Sequence, residues 1–260
     1  MKINYVLMDP TGNMTVLVET PIPAASQPFC ASRLMECEPT AEQVGFVLPA
    51  ADGDCDTTLR MAGGEFCGNA AMSAAALFCL RRGRTAGGTV RVRVSGADEP
   101  VTVTLSPDGV GGFACEVQMP RPVRITAFAG RPLVELPGIS HMIVTEPMTR
   151  EAAEREVKCR CAELGADALG LMLLDEAAQR LTPLVYVPGA DTLYWENSCA
   201  SGTAAVGAYL AVREGRAVSR TLAEPAGTLG VTAAPEGAPL LRGRVLLRRE
   251  RTVETVFPQA

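Results

Sequence analysis

The sequence predicts an α/β (α+β) fold of two pseudo-symmetric lobes, in which mostly antiparallel strands wrap around one central helix per lobe. Three observations support this prediction: an internal repeat, an alanine-rich helix in each copy of the repeat, and short segments in which apolar and polar residues alternate. Apolar residues make up 47% of the 260 residues and aromatic residues only 5%, so we expect a core of Ala, Val and Leu.

The repeat appears when residues 65–83 are aligned with residues 196–215. The matched pairs are Cys67 with Cys199, Arg81 with Arg213, and Gly83 with Gly215. Such self-similarity along a chain is typical of a fold that is built twice from one supersecondary unit.

Each copy predicts a helix, from Ala70 to Arg82 in the first and from Thr203 to Glu214 in the second. Alanine favours helix formation, and an Arg in the last turn followed by Gly is a helix-stop signal. In both copies the cysteine lies at or just before the helix N-terminus. Asn69 and Ser201 are the residue types that cap such a terminus, and we expect them to do so.

Two more helices are predicted, at Ala41–Leu48 and Arg150–Leu164. Segments with alternating polarity between turn residues predict strands; they include Asn4–Met8, Met14–Glu19, Thr89–Val94, Val101–Leu105, Cys115–Gln118, Met142–Val144, Leu171–Leu174, Leu184–Val187, Leu229–Thr232 and Val245–Arg248. The Gly-rich segment at 108–112 predicts a boundary between an N-terminal lobe (1–112) and a C-terminal lobe (113–260), and the last strand could return to the first lobe. Facing lobes would bring both cysteines of the repeat to one cleft.

Charge and hydropathy argue against several kinds of partner. The net charge is −5 and no basic block is present, so we expect no nucleic acid. No apolar run reaches the roughly 18 residues that span a membrane. Asp9 and Gly12 interrupt the apolar N-terminal stretch, which is therefore unlike a signal peptide. We expect a cytoplasmic protein with a small-molecule substrate, and a homodimer is an open alternative.

Lysine and histidine are scarce. A pyridoxal phosphate enzyme needs a buried lysine, but Lys2 is terminal and Lys158 lies in a charged run that predicts a solvated helix face. A Ser–His–Asp hydrolase would have His141 alone, and the sequence contains no Gly-x-Ser-x-Gly motif. We expect no cofactor, and we interpret His141 as an ordinary, partly buried histidine rather than a cleft residue.

Nine cysteines occur in a chain for which we expect a reducing compartment, so a disulfide framework is not expected. No pattern has zinc-ligand spacing, and we expect no metal site. Seven cysteines are predicted to be small packing residues; they are Cys30, Cys37, Cys55, Cys79, Cys115, Cys159 and Cys161.

The two repeat cysteines suggest proton transfer at the α-carbon of an amino acid. Inversion of that carbon needs a base on one face, an acid on the other and stabilisation of the enolate charge. A helix N-terminus lowers the pKa of a cysteine toward neutral, and its amides bind a carboxylate. Glu65 and Glu196 precede the cysteines and could bind the substrate ammonium or orient the thiol, or could be surface charges. Trp195 is expected to be a packing residue.

At these motifs the chain resembles the diaminopimelate epimerase family of pyridoxal-independent, two-cysteine epimerases with a twin-lobed α/β fold. Phe66–Ala70 is similar to its Cys-Gly-Asn-Gly motif and Ser198–Thr203 to its Ala-Cys-Gly-Thr-Gly motif. Asp9–Met14 is similar to its Gly-Asn-Asp-Phe segment. Gly138–His141 occupies the place of its Gly-Asn-Pro-His, and Pro225–Leu229 is similar to its Pro-Gly-Gly-x-Leu.

The resemblance implies that Cys67 and Cys199 are the catalytic pair. Together with the helix starts it implies a substrate-binding set, composed of Asn13, Glu65, Gly68, Asn69, Glu196, Ala200, Ser201 and Gly202. One departure bears on the substrate: no Arg or Lys lies between Pro183 and Cys199, where the family holds its distal carboxylate. Diaminopimelate would lose that partner.

The motifs look closer to the amino-acid racemases of this superfamily, which include histidine racemases of the opine-metallophore pathway. Asp191, Glu65 and Glu196 would suit a cationic or imidazole side chain. Alternatives on the same fold are a proline or hydroxyproline racemase, epimerase or dehydratase, and a phenazine-pathway isomerase. The retained cysteine pair argues against isomerases and dehydratases that lack one. A non-catalytic binding module and a thiol redox protein are rivals of a different kind.

Overall fold

The computed structural model describes residues 1–50 and 53–255. The chain forms two compact units: Met1–Val117 together with the C-terminal segment from Gly243, and Gln118–Arg242. The segment at 108–112, where the sequence predicts a boundary, forms a turn in the first unit, in which Asp108 accepts hydrogen bonds from the backbone of Val110 and Gly112. Within the described residues, no helix is both long and apolar enough to cross a membrane.

The first unit alternates antiparallel strand pairs with two parallel ones. Its elements are β1 (Lys2–Pro10), β2 (Thr15–Val18), α1 (Gln27–Cys37), β3 (Gln43–Pro49), β4 (Thr57–Met61), α2 (Gly68–Arg81), β5 (Gly88–Val94), β6 (Val101–Pro107) and β7 (Phe113–Gln118). The pairs β2–β3 and β4–β5 are parallel, whereas β1–β2, β3–β4, β5–β6 and β6–β7 are antiparallel. A 3-10 turn at Ala24–Ser26 precedes α1.

The second unit repeats this order of pairings. Its elements are β8 (Arg124–Phe128), β9 (Arg131–Leu136), β10 (Ile139–Val144), α3 (Arg150–Leu164), β11 (Leu169–Asp175), β12 (Arg180–Val187), β13 (Thr192–Trp195), α4 (Ala200–Glu214), β14 (Val218–Glu224), β15 (Gly227–Ala233) and β16 (Leu240–Glu254). The pairs β10–β11 and β12–β14 are parallel, and β9–β10, β11–β12, β14–β15 and β15–β16 are antiparallel. The additional strands β8 and β13 pair with β9 and β12. Beyond Arg242, β16 continues in the first unit as the antiparallel partner of β1.

The predicted fold is confirmed, with one central helix in each unit. Every residue of α2 from Gly68 to Leu77 is buried, as is every residue of α4 from Gly202 to Ala208. These stretches consist largely of Ala, Gly and Ser, so strands pack close to the helix backbone. At Gly207, an added Cβ would lie 2.5 Å from a methyl group of Val231 in β15.

One predicted helix is wrong. Residues 41–48 are predicted as helical, but the structure forms β3 there, between β2 and β4. The long-range ladder hydrogen bonds to two neighbouring strands outweigh a weak local helix propensity. The helix at Arg150–Leu164 is confirmed to the residue, with Thr149 as its N-cap. Helix α1 and strands β4, β8, β9, β13 and β14 were absent from the prediction.

Candidate active site

Cys67 is the N-cap of α2. Its backbone is extended (φ −136°, ψ 114°), and its Sγ accepts a hydrogen bond from the backbone N–H of Ala70 at 3.4 Å. The predicted cap, Asn69, lies inside the first turn instead and is buried. Asn69 does not cap the helix because the Sγ of Cys67, two residues earlier, already occupies the position from which a side chain accepts a hydrogen bond from a first-turn amide.

The segment before Cys67 is held by the chain that follows β5. The Ser95 hydroxyl donates to the Glu65 carbonyl at 2.9 Å and accepts from the Met61 backbone N–H at 2.9 Å. Gly96 follows with φ +75°, and a Cβ there would lie 2.4 Å from the backbone nitrogen of Phe66. This close approach requires glycine and fixes the path of the chain into the helix start.

A chain of side-chain hydrogen bonds leads away from the Cys67 sulfur. The thiol donates to Gln43 Oε1 at 3.0 Å, and Gln43 Nε2 donates to Thr15 Oγ1 at 2.8 Å and to Asn13 Oδ1. Asn13 Nδ2 donates in turn to Glu42 Oε2 at 2.7 Å. Asn13, which the sequence predicts as a substrate contact, thus belongs to the same network as Cys67. Gln43 and Glu42 were missed, because the helix predicted over them hid strand β3, which begins at Gln43.

A tight turn delivers Asn13 to this network. Thr11 and Gly12 both adopt left-handed backbone conformations (φ +54° and +89°), which glycine tolerates and threonine rarely adopts. The Gly12 N–H donates to Asp9 Oδ1 at 2.6 Å, and the Asn13 N–H donates to the Pro10 carbonyl at 3.2 Å. The turn buries the Asn13 side chain.

Cys199 is the N-cap of α4 and repeats the geometry of Cys67. Its backbone is extended (φ −126°, ψ 104°), and its Sγ accepts from the Gly202 N–H at 3.3 Å. The residue is only 4% exposed. Ser201, the predicted cap, lies in the first turn with its hydroxyl 3.6 Å from the sulfur. An added Cβ at Gly202 would lie 2.1 Å from Met172 Sδ, so a side chain there would disturb the helix start.

His141 lies beneath this helix start and is fully buried, not partly buried as predicted. Its Nε2 is 2.9 Å from Ser201 Oγ, while its Nδ1, packed over Gly170, has no hydrogen-bond partner among the described residues. Burial lowers the pKa of His141 to about 3, so the ring is neutral at pH 7. A proton on Nε2 would donate to Ser201 and free the serine hydrogen for the Cys199 sulfur.

Two carboxylates also reach the start of α4. Glu224, the last residue of β14, accepts from the Cys199 backbone N–H at 2.7 Å and from the Thr203 hydroxyl at 2.5 Å. Burial raises the pKa of Glu224 to about 8. Glu196 hydrogen-bonds the Cys199 side chain, and the pKa of that thiol lies well above its usual range because of burial first and the Glu196 charge second.

The remaining predicted substrate contacts lie beside the two cysteines in the sequence. Gly68 is the first residue of α2 and Ala200 the first of α4, and both are buried. Glu65 is exposed to solvent as a residue, yet its carboxylate folds back over Gly63, and desolvation there raises its pKa. Glu224 was missed by the sequence, since no motif links it to Cys199 across 25 residues.

The other seven cysteines follow the packing prediction only in part. Cys30, Cys79, Cys115 and Cys161 are buried, and burial raises the pKa of Cys30 to about 11 and of Cys115 to about 12. Cys55 is half-buried, while Cys37 and Cys159 are exposed and the prediction is wrong for them. Cys37 ends α1, and Cys159 lies on the solvent side of α3, where its thiol donates to Glu163 at 3.4 Å.

Two other residues behave as the sequence predicts. Trp195 packs against the apolar cluster beside α3, and its Nε1 donates to Glu154 at 2.8 Å. Lys158 is exposed on α3, with its ammonium 5.5 Å from the ring centre of Tyr186.

Two similar units, each with a cysteine capping its central helix, define the class of protein: an isomerase of the racemase and epimerase type. The chain belongs to the histidine racemase family, whose model, described as the histidine racemase CntK N-terminal domain, matches residues 2–242.

Individual proteins show the same likeness. The chain is 31% identical over 220 residues to a histidine racemase of Fusobacterium nucleatum, which covers 80% of this chain and 81% of the relative. It is 30% identical over 249 residues to a histidine racemase of Staphylococcus aureus, covering 88% of each. The solved structure of a predicted epimerase of Pseudomonas aeruginosa shares the fold, with a TM-score of 0.74 at 19% identity over 98% of this chain and 100% of that one.

Proposed function

We propose that this protein interconverts L- and D-histidine, with Cys67 and Cys199 as the acid–base pair. The observation that carries the proposal is that these two residues, alone among the nine cysteines, are the N-caps of the two central helices. The proposal requires both sulfurs to address one α-carbon from opposite faces. One thiolate would then remove the α-proton while the other thiol supplies a proton to the opposite face.

The two helix starts would also bind the substrate carboxylate. First-turn amides have no partner within their helix, and the positive end of the helix dipole favours an anion there. Gly68, Ala200 and Gly202 add little or no side chain to these turns, so a carboxylate could approach the backbone closely. The same amides would stabilise the enolate that forms when the α-proton leaves.

Polar side chains beside the cysteines would hold the rest of the amino acid. Asn13 and Asn69 lie next to the Cys67 helix start, and Ser201 lies next to Cys199. Glu65 and Glu196, which lie two and three residues before Cys67 and Cys199, would offer negative charge to the ammonium group or to the imidazole ring. The relatives that are named histidine racemases support histidine as the substrate. The two cysteine-capped helix starts support proton transfer as the reaction.

The test is α-proton exchange, followed by proton NMR in deuterated buffer under reducing conditions. L-histidine, L-proline, trans-4-hydroxy-L-proline and diaminopimelate are compared at equal concentration. We expect loss of the histidine α-proton signal with appearance of D-histidine, and no appearance of D-histidine with Cys67→Ser or with Cys199→Ser. The exposed cysteines provide matched controls, since Cys37→Ser and Cys159→Ser make the same chemical change and should keep full activity.

Exchange with proline or hydroxyproline but not histidine would replace the substrate and keep the mechanism. Exchange with none of the four amino acids, by folded and reduced protein, would refute the proposal. Activity that survives either helix-cap substitution would refute the two-thiol mechanism.

A further inference from the structure

The start of α4 contains a buried acid to which neither the sequence motifs nor the proposed reaction assigns a role. Glu224 is only 7% exposed and lies at the end of β14. Its two carboxylate oxygens are both occupied, one by the Cys199 backbone N–H at 2.7 Å and the other by the Thr203 hydroxyl at 2.5 Å. The carboxyl group therefore lies directly behind the residue that caps the helix.

This placement works against the effect that a helix start has on a thiol. The N-terminal end of α4 carries partial positive charge and by itself would favour a thiolate at Cys199. Once it ionises, above its pKa of about 8, the Glu224 carboxylate at the same end offsets that charge and repels a second negative charge on the sulfur. Among the described residues, the titratable groups that face Cys199 are Glu224 from β14, Glu196 from the preceding loop and His141 from β10. The first two are acids, and His141 is a neutral, buried ring.

We propose that Glu224 is a positioning residue that keeps the Cys199 sulfur protonated in the resting enzyme, so that Cys199 starts a turnover as the proton donor. The proposal deepens the proposed function and rests on it. The Cys67 thiolate would take the α-proton of one enantiomer, and the S–H of Cys199 would deliver its proton to the opposite face. The products are a Cys67 thiol, a Cys199 thiolate and the inverted amino acid. Proton exchange with water then returns the resting state.

Carbon NMR of the protein labelled with ¹³C at the cysteine Cβ positions tests the inference without substrate. The Cys199 signal is assigned by its absence in Cys199→Ser, and its shift is followed against pH. We expect Glu224→Gln, which keeps the size and an acceptor but removes the charge, to lower the titration midpoint of Cys199 by at least one pH unit. Above pH 8, where Glu224 is ionised, the thiolate fraction should then rise about tenfold.

Glu176→Gln is the matched control. It removes one carboxylate at the opposite end of the same helix, where Glu176 pairs with Arg213 at 2.6 Å. We expect this variant to leave the Cys199 midpoint unchanged, even if it lowers the stability of the unit. A purely structural Glu224 would behave like Glu176.

The pH profile of kcat/KM for histidine gives a second readout. A Cys199 that must be protonated loses activity when the pH rises above its pKa. Because Glu224→Gln lowers that pKa, the alkaline limb of the profile should move to lower pH by the same amount as the NMR midpoint.

An unmoved Cys199 midpoint in folded Glu224→Gln would overturn the proposal. If that variant does not fold, the wild type decides: a Cys199 that titrates at or below the ordinary cysteine pKa of about 8.5 overturns it. The NMR titration uses no substrate, so it stands even if histidine is not racemised. Absence of racemisation with the expected NMR shift would refute the proposed function and leave the role of Glu224 in the protonation of Cys199 supported.

Discussion

The starts of α2 and α4 share one backbone design and differ in the side chains around the sulfur. In both, an extended cysteine caps the helix and accepts from the N–H three residues later, at 3.4 Å in the first unit and 3.3 Å in the second. Beside each cap, one long side chain comes from a pair of residues that lie opposite each other on two parallel strands. In the first unit the pair is Thr15 on β2 and Gln43 on β3, and Gln43 has the long side chain. In the second unit the pair is His141 on β10 and Gly170 on β11, and His141 has the long side chain.

The difference shows how a repeated fold can hold two unlike thiols. The network from Cys67 passes through two neutral amides, Gln43 and Asn13, before it reaches the carboxylate of Glu42. At Cys199 two carboxylates, Glu196 and Glu224, act on the sulfur or on its backbone N–H directly. Similar backbones position the two sulfurs, and the charged groups around them differ.

The largest expected effect comes from removing either sulfur. Cys67→Ser and Cys199→Ser should each lower the rate of racemisation by at least about 1,000-fold, because a hydroxyl is a far weaker acid–base group at neutral pH. Each variant keeps one thiol, and this thiol should still exchange the α-proton of one enantiomer without inversion. NMR in deuterated buffer with pure L- and D-histidine checks this. If both variants exchanged the same enantiomer, the two sites would not act on opposite faces.

The next largest effect is expected from a substitution that gives Cys67 a neighbouring carboxylate, as Cys199 has. Gln43→Glu places a carboxylate on the Cys67 sulfur, where like-charge repulsion should raise the pKa of the thiol by about one unit or more. The acid limb of kcat/KM should move upward and activity at pH 7 should fall at least tenfold, since about one-tenth as much thiolate is present. Gln43→Leu, the control, removes the contact without adding charge and should lower activity without moving the limb. Equal pH profiles for both variants would contradict the prediction.

A smaller effect concerns stability in acid. The folded pKa of His141, about 3, is below its unfolded value of 6.5, so the unfolded chain binds a proton that the folded chain does not. Stability from the neutral ring is complete above pH 6.5 and is lost as pH falls toward 3, by about 1.4 kcal/mol per pH unit in the steep part. His141→Thr, which installs the residue found at this place in the first unit, should remove that slope.

Urea unfolding at pH 7, 6, 5 and 4 measures the slope for both proteins. The raised pKa of Glu224, about 8, gives a slope of opposite sign, because stability from the protonated acid is complete below 4.5 and is lost as pH rises through 8. This second slope is present in both proteins, so the difference between them isolates His141. A constant difference across this pH range would show that His141 does not titrate as argued.

The smallest effect concerns the opposite ends of the two helices, where the units are alike. Arg81 pairs with Glu19 at 2.7 Å and Arg213 with Glu176 at 2.6 Å, and each Glu directly follows an equivalent strand. These arginine side chains are 41% and 39% exposed. Arg81→Met and Arg213→Met should therefore each lower the free energy of unfolding by less than about 1 kcal/mol. Thermal unfolding in low and high salt checks the cost, and activity should stay within about twofold. If only one of the two variants lost more than about 2 kcal/mol of unfolding free energy, the two helix ends would not be equivalent.

The sequence by itself determined the two central helices and the cysteine at the start of each, although it assigned the caps to Asn69 and Ser201. The repeat around Cys67 and Cys199 could be recognised because its signals are local in the sequence. Alanine favours the helix, Arg and Gly mark its end, and a polar turn precedes it. The helix at Arg150–Leu164 was also predicted to the residue.

The tertiary structure alone decided what surrounds each sulfur. Gln43 reaches Cys67 across 24 residues and Glu224 reaches Cys199 across 25, by way of strands whose partners are distant in the chain. No local pattern marks such contacts, and over residues 41–48 the local pattern predicted a helix where long-range pairing forms β3. The burial that shifts the pKa values of His141 and Glu224 likewise exists only after the strands have packed on the helices, because desolvation depends on every neighbour and not on sequence position.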